Sequence, residues 1–496
     1  MNIAPRRPLF NRKPQSNIYR MFIWVMMILG GVWFIQQVSR GDIKPLFEVT
    51  PTPTRSVGSL LMEGDAEFSA GNLNAAITSY QQVVDVDPNN AKTWADLARI
   101  QTYSSAFLIT DAEIKDRLLQ ALVSARKAVE LASEDSRAHA ILAFTLDWNA
   151  NTTIYKDDPR QVDKFLAEAE QEALIALAKD NTNTLALAYY AEVLLDQQKW
   201  PQAQQYINQA LERSDADQMD VHRVNAYLLE TLGKYNLAIT EYDKAIAIEP
   251  NFTFLYLRAG ANYRRLAFAI SDPKAAQPVY EKSLEYFARA ARINDQIGVK
   301  DPTPYLSISR TYSQLGDFFA AALNVKKALK FDPTNADIYG QLGIVYYRSR
   351  NYEGSRDTLK CALRGCSGEA SCIGRGLDKC YPDLIENPVD IKGLAISPST
   401  IVYYYTYGSV LAGLSHKADN RCGDAMQVFS EIRAELNANP DAYADGRDTI
   451  IKIVSDGEFI CQSLADDSVP TSSVTGEAVT STPEAGISDV TSTPTP

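Results

Sequence analysis

The segment Met219–Phe252 reads MDVHRVNAYLLETLGKYNLAITEYDKAIAIEPNF, and the spacing of its small, turn and aromatic residues decides the fold. With Met219 as position 1, Ala226, Ala238 and Ala245 stand at 8, 20 and 27, Gly233 at 15, Tyr242 at 24 and Pro250 at 32. Two antiparallel helices approach closely only where both present small side chains, which positions 8, 20 and 27 supply. Gly at 15 can take the positive φ of a tight turn, and Pro at 32 cannot continue the second helix. Large residues at 4, 7, 11 and 24 fill the space between hairpins. One hairpin leaves an apolar face exposed, so the pattern calls for stacked copies.

Those copies are present. Val57–Asn90 places Gly64, Gly71, Ala76, Tyr80, Val83 and Pro88 at the same six positions, and Pro302–Asn335 places Ser309, Gly316, Ala321, Val325, Ala328 and Pro333 there. From Ala336 the pattern returns with Gly343, Tyr346, Ser355, Leu359 and Ala362. Fainter copies open with Trp94, Leu97 and Ala98, with His139, Leu142 and Ala143, and with Leu187, Tyr190 and Ala191. Tyr256, Gly260 and Tyr263 mark another, and Tyr404, Tyr407, Gly408, Ala425 and Phe429 the last. The pattern resembles the tetratricopeptide repeat, in nine copies over residues 57–437, although Trp stands at position 4 only once and Pro at 32 in only three copies. The resemblance implies an all-α, right-handed superhelical solenoid.

Three hairpin tips are lengthened, at Thr102–Asp111, Asn149–Pro159 and Leu266–Ala275, and each ends in helix-start chemistry: Thr110 with Glu113, Asp158 before Pro159, Asp272 before Pro273. Residues 438–464 close the array, with Asp441–Gln462 expected as one amphipathic capping helix.

Residues 18–38 carry no charge from Met21 to Ile35 and make a helix of about 31 Å, enough to span a bilayer with Trp24 and Trp33 toward its ends. Arg6, Arg7, Arg12, Lys13 and Arg20 accompany its N-terminal side, which places segment 1–17 in the cytoplasm and the solenoid outside it. The following IQQVSRG lacks a small-residue cleavage site, so the run reads as an uncleaved single-pass anchor rather than a signal peptide. Segments 39–56 and 465–496, rich in Thr, Ser and Pro, cannot bury a core and read as a spacer and a disordered tail.

All six cysteines, Cys361, Cys366, Cys372, Cys380, Cys422 and Cys461, lie in the last third, four of them around a Gly/Pro-rich insert, residues 364–400. An even number in an exported region favours disulfides, and the intervals lack the paired knuckles of a zinc site. Cys422 begins one helix and Cys461 ends the next, so an antiparallel pair would join them, leaving the other four to pair among themselves.

No catalytic constellation is visible: the three histidines, His139, His222 and His416, belong to no metal or nucleophile motif, and His139 and His222 sit at packing position 4. Neither enzyme activity, nor a cofactor or metal, nor a small-molecule substrate is expected. The net charge of −12 disfavours nucleic acid. Two roles remain, a binding module for a protein or peptide and a self-associating structural spacer. In the family it resembles, positions 2, 5, 9, 12 and 13 of the first helix line the concave groove. That rule yields Phe254, Leu257, Arg264, Arg265, Arg310, Tyr347, Arg348 and Tyr405. Four arginines beside aromatic rings match an acidic peptide or a C-terminal carboxylate, reminiscent of the carboxylate clamp of some tetratricopeptide co-chaperones without its Lys and Asn pattern.

Overall fold

The computed structural model describes residues 17–39, 56–108, 110–150, 152–155, 158–213, 215, 218–381 and 387–465. Arg6, Arg7, Arg12 and Lys13, the spacer 40–55 and the tail 466–496 lie outside them. The chain divides into two compact units, Met1–Ser56 and Val57–Pro496. In the first, α1 (Ile18–Ser39) is long and apolar enough to cross a bilayer, with mean hydropathy 1.8 over Ile18–Gln37.

The second unit is a solenoid of nine helix hairpins among the described residues. The first three are α2 (Val57–Ser69) with α3 (Leu73–Val86), α4 (Ala91–Ser104) with α5 (Asp111–Leu131), and α6 (Ser136–Asn149) with α7 (Pro159–Lys179). Next come α8 (Thr184–Asp196) with α9 (Trp200–Leu211), α10 (Met219–Thr231) with α11 (Tyr235–Ile248), and α12 (Thr253–Phe268) with α13 (Pro273–Ile297). Then follow α14 (Thr303–Leu315) with α15 (Phe318–Phe331) and α16 (Ala336–Arg348) with α17 (Tyr352–Arg364). After the insert, which carries the short α18 (Glu369–Gly374), α19 (Ile401–Leu414) pairs with α20 (Cys422–Ala438), and α21 (Arg447–Ala465) closes the stack.

Local chemistry sets these ends. Asn72, Asn90, Asn183 and Asp317 each accept a hydrogen bond from a first-turn amide. Ala76, Ala238, Ala245, Ala321 and Ala328, at positions 20 and 27, are fully buried where paired helices touch. Of the lengthened tips, Thr110 and Glu113 form a reciprocal capping box and Asp272 caps Lys274 N. Asp158 departs from expectation: it makes no cap bond and faces Arg160 at 3.8 Å. The closing segment is divided as well, into a 3-10 turn at Pro440–Tyr443 and then α21, because Gly446 at φ +106° breaks the helical path.

Disulfides join Cys361 to Cys366, Cys372 to Cys380, and Cys422 to Cys461, the last tying the start of α20 to the end of α21. The insert is further pinned by a two-bond bridge between Cys366 and Ile391 and by Leu394 N donating to Ala362 O.

The first five hairpins curl until the chain meets itself. Asn251, just before α12, donates from Nδ2 to Ser69 O at 2.9 Å, and the Phe252 ring lies 5.0 Å from Tyr103 and 5.9 Å from Phe107. One apolar core accordingly runs from Leu73 to Ala259. A second runs from Ala321 to Cys461 and belongs to an arm, α14 to α21.

Gly71 lies at the meeting point, with φ +81° and a position where a Cβ would stand 2.4 Å from Asn251 O. Gly233 has a similar φ, +71°, and open space around it. Gly233→Ala should therefore cost only the left-handed penalty of about 1–2 kcal/mol. Gly71→Ala should cost roughly 1–3 kcal/mol more, because backbone must move. Thermal unfolding of the two variants measures the difference, and equal melting points would show that the turn is not closed.

Candidate functional site

The groove positions of the second to sixth hairpins do not face a groove. Wrapped inside the closed turn, they face one another. Asp220 of α10 accepts from Arg99 of α4 at 2.5 Å, from Tyr189 of α8 at 2.9 Å and from Tyr103 of α4. Arg223 grips Glu192 of α8 through two bonds of 2.6 and 2.5 Å and donates from Nε to Tyr103 Oη at 3.1 Å. Burial alone would lift the Asp220 carboxyl, but Arg99 and Arg223 hold it below its usual range. Farther along, Glu230 takes Arg258 at 3.2 Å, Asn262 at 2.8 Å, and Arg265. Burial again opposes ionisation there, and the two guanidiniums win, holding Glu230 down.

One part of this interior is not neutralised. Asp147 of α6 is 2% exposed and neither carboxylate oxygen has a hydrogen-bond partner. Burial, then Asp196 and Glu192 of α8, push its pKa well up. Asp196 accepts from Tyr227 at 2.7 Å through one oxygen while the other is buried without a partner, and burial pushes it to about 7. Both carboxyls are thus easier to protonate than an exposed Asp.

The eight groove residues named by position separate on this geometry. Phe254 is half-buried, 6.0 Å from Trp148 and 5.9 Å from Phe252. Leu257 packs on the cluster of Tyr256, Ala290 and Ile293. Arg264 is 4% exposed, its guanidinium over the Phe287 ring at 5.7 Å and reaching toward Ser307 O at 3.4 Å. Arg265 is committed to Glu230. The expected convergence of four arginines is thus corrected: Arg264 packs against α13 and α14 and Arg265 pairs with Glu230 of α10, so neither is offered to a groove.

The arm is different. Arg310 of α14 and Arg348 of α16 are exposed, and among the described residues neither has a carboxylate within ion-pair distance. Arg310 lies in the field of Tyr403, whose hydroxyl donates to Asp337 at 2.8 Å. Partial desolvation lowers the Arg348 pKa, and only Tyr405 of α19 offsets it. Tyr347 stands beside Tyr405 and 5.9 Å from the Tyr352 ring. Arg348, Tyr347 and Tyr405 are brought together, with Arg310 on the same run of inner helices.

His139 and His222 are packed against second helices, His139 Nδ1 at 2.6 Å from Glu172 and His222 Nδ1 at 2.8 Å from Glu241. Position counting applied to the second to fifth hairpins would have found Arg99, Tyr103, Asp147, Glu192, Asp196, Asp220, Arg223, Tyr227 and Glu230, whose mixed charges signal mutual pairing.

Two stretches match models of the family, residues 64–101 (TPR repeat) and 190–252 (Tetratricopeptide repeat). Over 79 residues, 16% of this chain, identity is 33% to small glutamine-rich tetratricopeptide repeat-containing protein beta of Rattus norvegicus and of Mus musculus. The chain spans about a quarter of the length of these curated relatives (25%). Among solved structures it is similar to a thermophilic TPR protein of Thermus thermophilus, at 17% identity and TM-score 0.33 over 42% of this chain and 98% of that one. It is also similar to the human IFIT1 dimer with PPP-AAAA, at 15% identity and TM-score 0.40 over 77% of this chain and 92% of that one. At these values the structural likenesses carry no argument about function.

The Asp147/Asp196 pair yields a pH dependence with a definite sign. Their folded pKa values lie above the unfolded ones, so the folded state retains protons that the unfolded state has released above about pH 4. Stability should fall as pH rises from 4 toward 7, by about 1.4 kcal/mol per pH unit for each proton retained. Asp196→Asn should flatten that slope and melt higher than the native chain at pH 8. A native profile as flat as that of the variant would refute the raised pKa of Asp196.

Proposed function

We propose, from the premise that this chain is a tetratricopeptide-repeat protein and so a protein-interaction scaffold, that its arm receives an acidic peptide segment or C-terminal carboxylate of a partner protein. One observation carries the reading: Arg310 and Arg348 are the groove-position arginines left without carboxylate partners among the described residues, and Tyr347 and Tyr405 flank the second. Guanidinium forks match carboxylates through paired hydrogen bonds, and the adjacent rings offer apolar contact. Binding rather than catalysis is the role assigned.

The apolar α1 supports a membrane anchor, with the N-terminus cytoplasmic and the solenoid on the far side, where the disulfides would persist. The second reading, a self-associating envelope spacer, is favoured by the strongly exposed Phe319 of α15, 84% exposed beside Leu323 at 48%.

Changing Arg310 and Arg348 together to Ala should weaken binding of an aromatic, Asp/Glu-rich peptide at least about tenfold, with helicity and melting unchanged, and native binding should fall with added salt. Arg265→Ala should do the reverse, leaving peptide binding intact while destabilising the fold by roughly 1–3 kcal/mol through Glu230. Unaltered capture by the folded double mutant would shift the assignment to the spacer role.

A reporter active only outside the cytoplasm, fused after Ser56, should be active while an N-terminal tag stays with the membrane fraction. A soluble product trimmed near Gly41 would overturn the anchor.

A further inference from the structure

Residues 466–496 follow α21 and carry five carboxylates, Asp466, Asp467, Glu477, Glu484 and Asp489, with neither lysine nor arginine and no aromatic ring among them. Such a segment lacks the apolar surface to build a core of its own, and its charge is all of one sign. The arm offers it a matching surface. Its inner helices α14, α16 and α19 hold Arg310 and Arg348 without a carboxylate partner among the described residues, and their single carboxylate, Asp337, accepts from Tyr403 and Gln341. Tyr405 stands beside Arg348 and Tyr347, so a cationic fork and ring faces lie together.

The packing of the arm puts this surface within reach. Helix α21 packs against α19 and α20, the Cys422–Cys461 disulfide fixes its last turns beside the start of α20, and α19 packs in turn against α16. Neighbouring helix axes lie about 8–10 Å apart, and α19, with 14 residues, is about 21 Å long. Arg348 and Tyr405 therefore stand within roughly 35 Å of the last residue of α21. A chain extends by at most about 3.3–3.6 Å per residue, so the 12 residues from Ala465 to Glu477 already cover that distance and the 19 to Glu484 leave slack.

We propose, resting on the carboxylate-binding reading of the arm, that residues 477–489 of the chain's own tail occupy its inner face, so that a partner must displace them to bind. Glu477, Glu484 and Asp489 supply carboxylates for the forks of Arg348 and Arg310, and Pro483, next to Glu484, supplies a flat apolar ring for Tyr347 and Tyr405. Tethering sets a local concentration on the order of millimolar, which keeps occupied a contact too weak to persist between separate molecules. The inner face is thereby covered in the resting chain, and a stronger acidic ligand uncovers it.

Two measurements on the full chain in detergent test this. The first is the affinity for a fluorescein-labelled peptide, Asp-Glu-Tyr-Glu-Asp-Phe-Glu, at about 0.15 M salt. Glu477→Gln, Glu484→Gln and Asp489→Asn together should tighten its Kd at least about threefold. A charge-matched control, Asp111→Asn, Asp163→Asn and Glu212→Gln, changes three exposed carboxylates of the closed turn and should leave Kd within about 1.5-fold. The second measurement places p-benzoylphenylalanine at Ile487 and irradiates a mixture of isotope-labelled and unlabelled chains, where cross-links from the tail to α14, α16 or α19 of the same chain are expected. Equal affinity of the native and tail-neutralised chains, while Arg310→Ala with Arg348→Ala still weakens binding, would overturn the tail contact and leave the arm's reading standing. No binding of the peptide by either chain would overturn both. Equal tightening by the control, cross-links that miss the arm, or cross-links formed only between labelled and unlabelled chains would each overturn the tail contact, the last by assigning the tail to a second copy.

Discussion

Arg223 and Glu192 meet through two parallel hydrogen bonds of 2.6 and 2.5 Å, with neither side chain more than 2% exposed. Taking both charges out of water costs several kcal/mol per ion, which their attraction offsets only when the remaining donors and faces are also satisfied. They are: Tyr103 Oη accepts from Nε, and the rings of Tyr103 and Phe144 each lie 5.5 Å from the guanidinium. Tyr103 is in turn held by Asp220, and Asp220 by Arg99. The network's net contribution to stability is small by this reasoning, but any curvature that strands one member uncompensated costs about 3–5 kcal/mol. That asymmetry fixes how far α4, α8 and α10 curl together.

The arm has no such interior. Its inner helices α14, α16 and α19 carry mainly Tyr, Ser, Thr and apolar residues at the corresponding positions, with two arginines and a single carboxylate, Asp337, which accepts from Tyr403 and Gln341 rather than from an arginine. It is also where all three disulfides lie. A covalent link stabilises chiefly by restricting the unfolded chain, and the insert between α17 and α19, rich in Gly and Pro, has much freedom to lose. Charge pairing thus orders the closed turn, while cross-links order the arm and leave its inner face available.

The period, the nine hairpins and most helix starts were legible because each depends on residues within one repeat. Gly at position 15 or Asn before a helix acts on its own turn. Curvature is not local in this sense. It emerges from side chains about 31 to 43 positions apart, such as Arg223 with Glu192 or Tyr286 with Asp243, and no single repeat displays it. Reading groove positions only from the sixth hairpin onward found Arg265 without Glu230, which stands at the equivalent inner face one hairpin earlier. Arg264 was misplaced because its guanidinium lies over Phe287 of α13 and reaches Ser307 O of α14, contacts between helices that its own repeat does not display.

The closed turn also decides where a ligand can bind. To admit a peptide to the inner face of α4 to α12, the turn would have to separate Arg99 and Tyr103 from Asp220, partners 121 and 117 residues away, and expose Tyr103 and Phe252, whose rings meet at 5.0 Å. Two charge-assisted hydrogen bonds at about 1.5–3 kcal/mol each, plus the apolar area of two aromatic rings, set an opening cost comparable with the whole binding energy of a micromolar peptide, about 8 kcal/mol. A peptide that opened the turn would spend its affinity on doing so. A peptide is therefore accommodated at lower cost by a surface that needs no such rearrangement, such as the inner face of the arm.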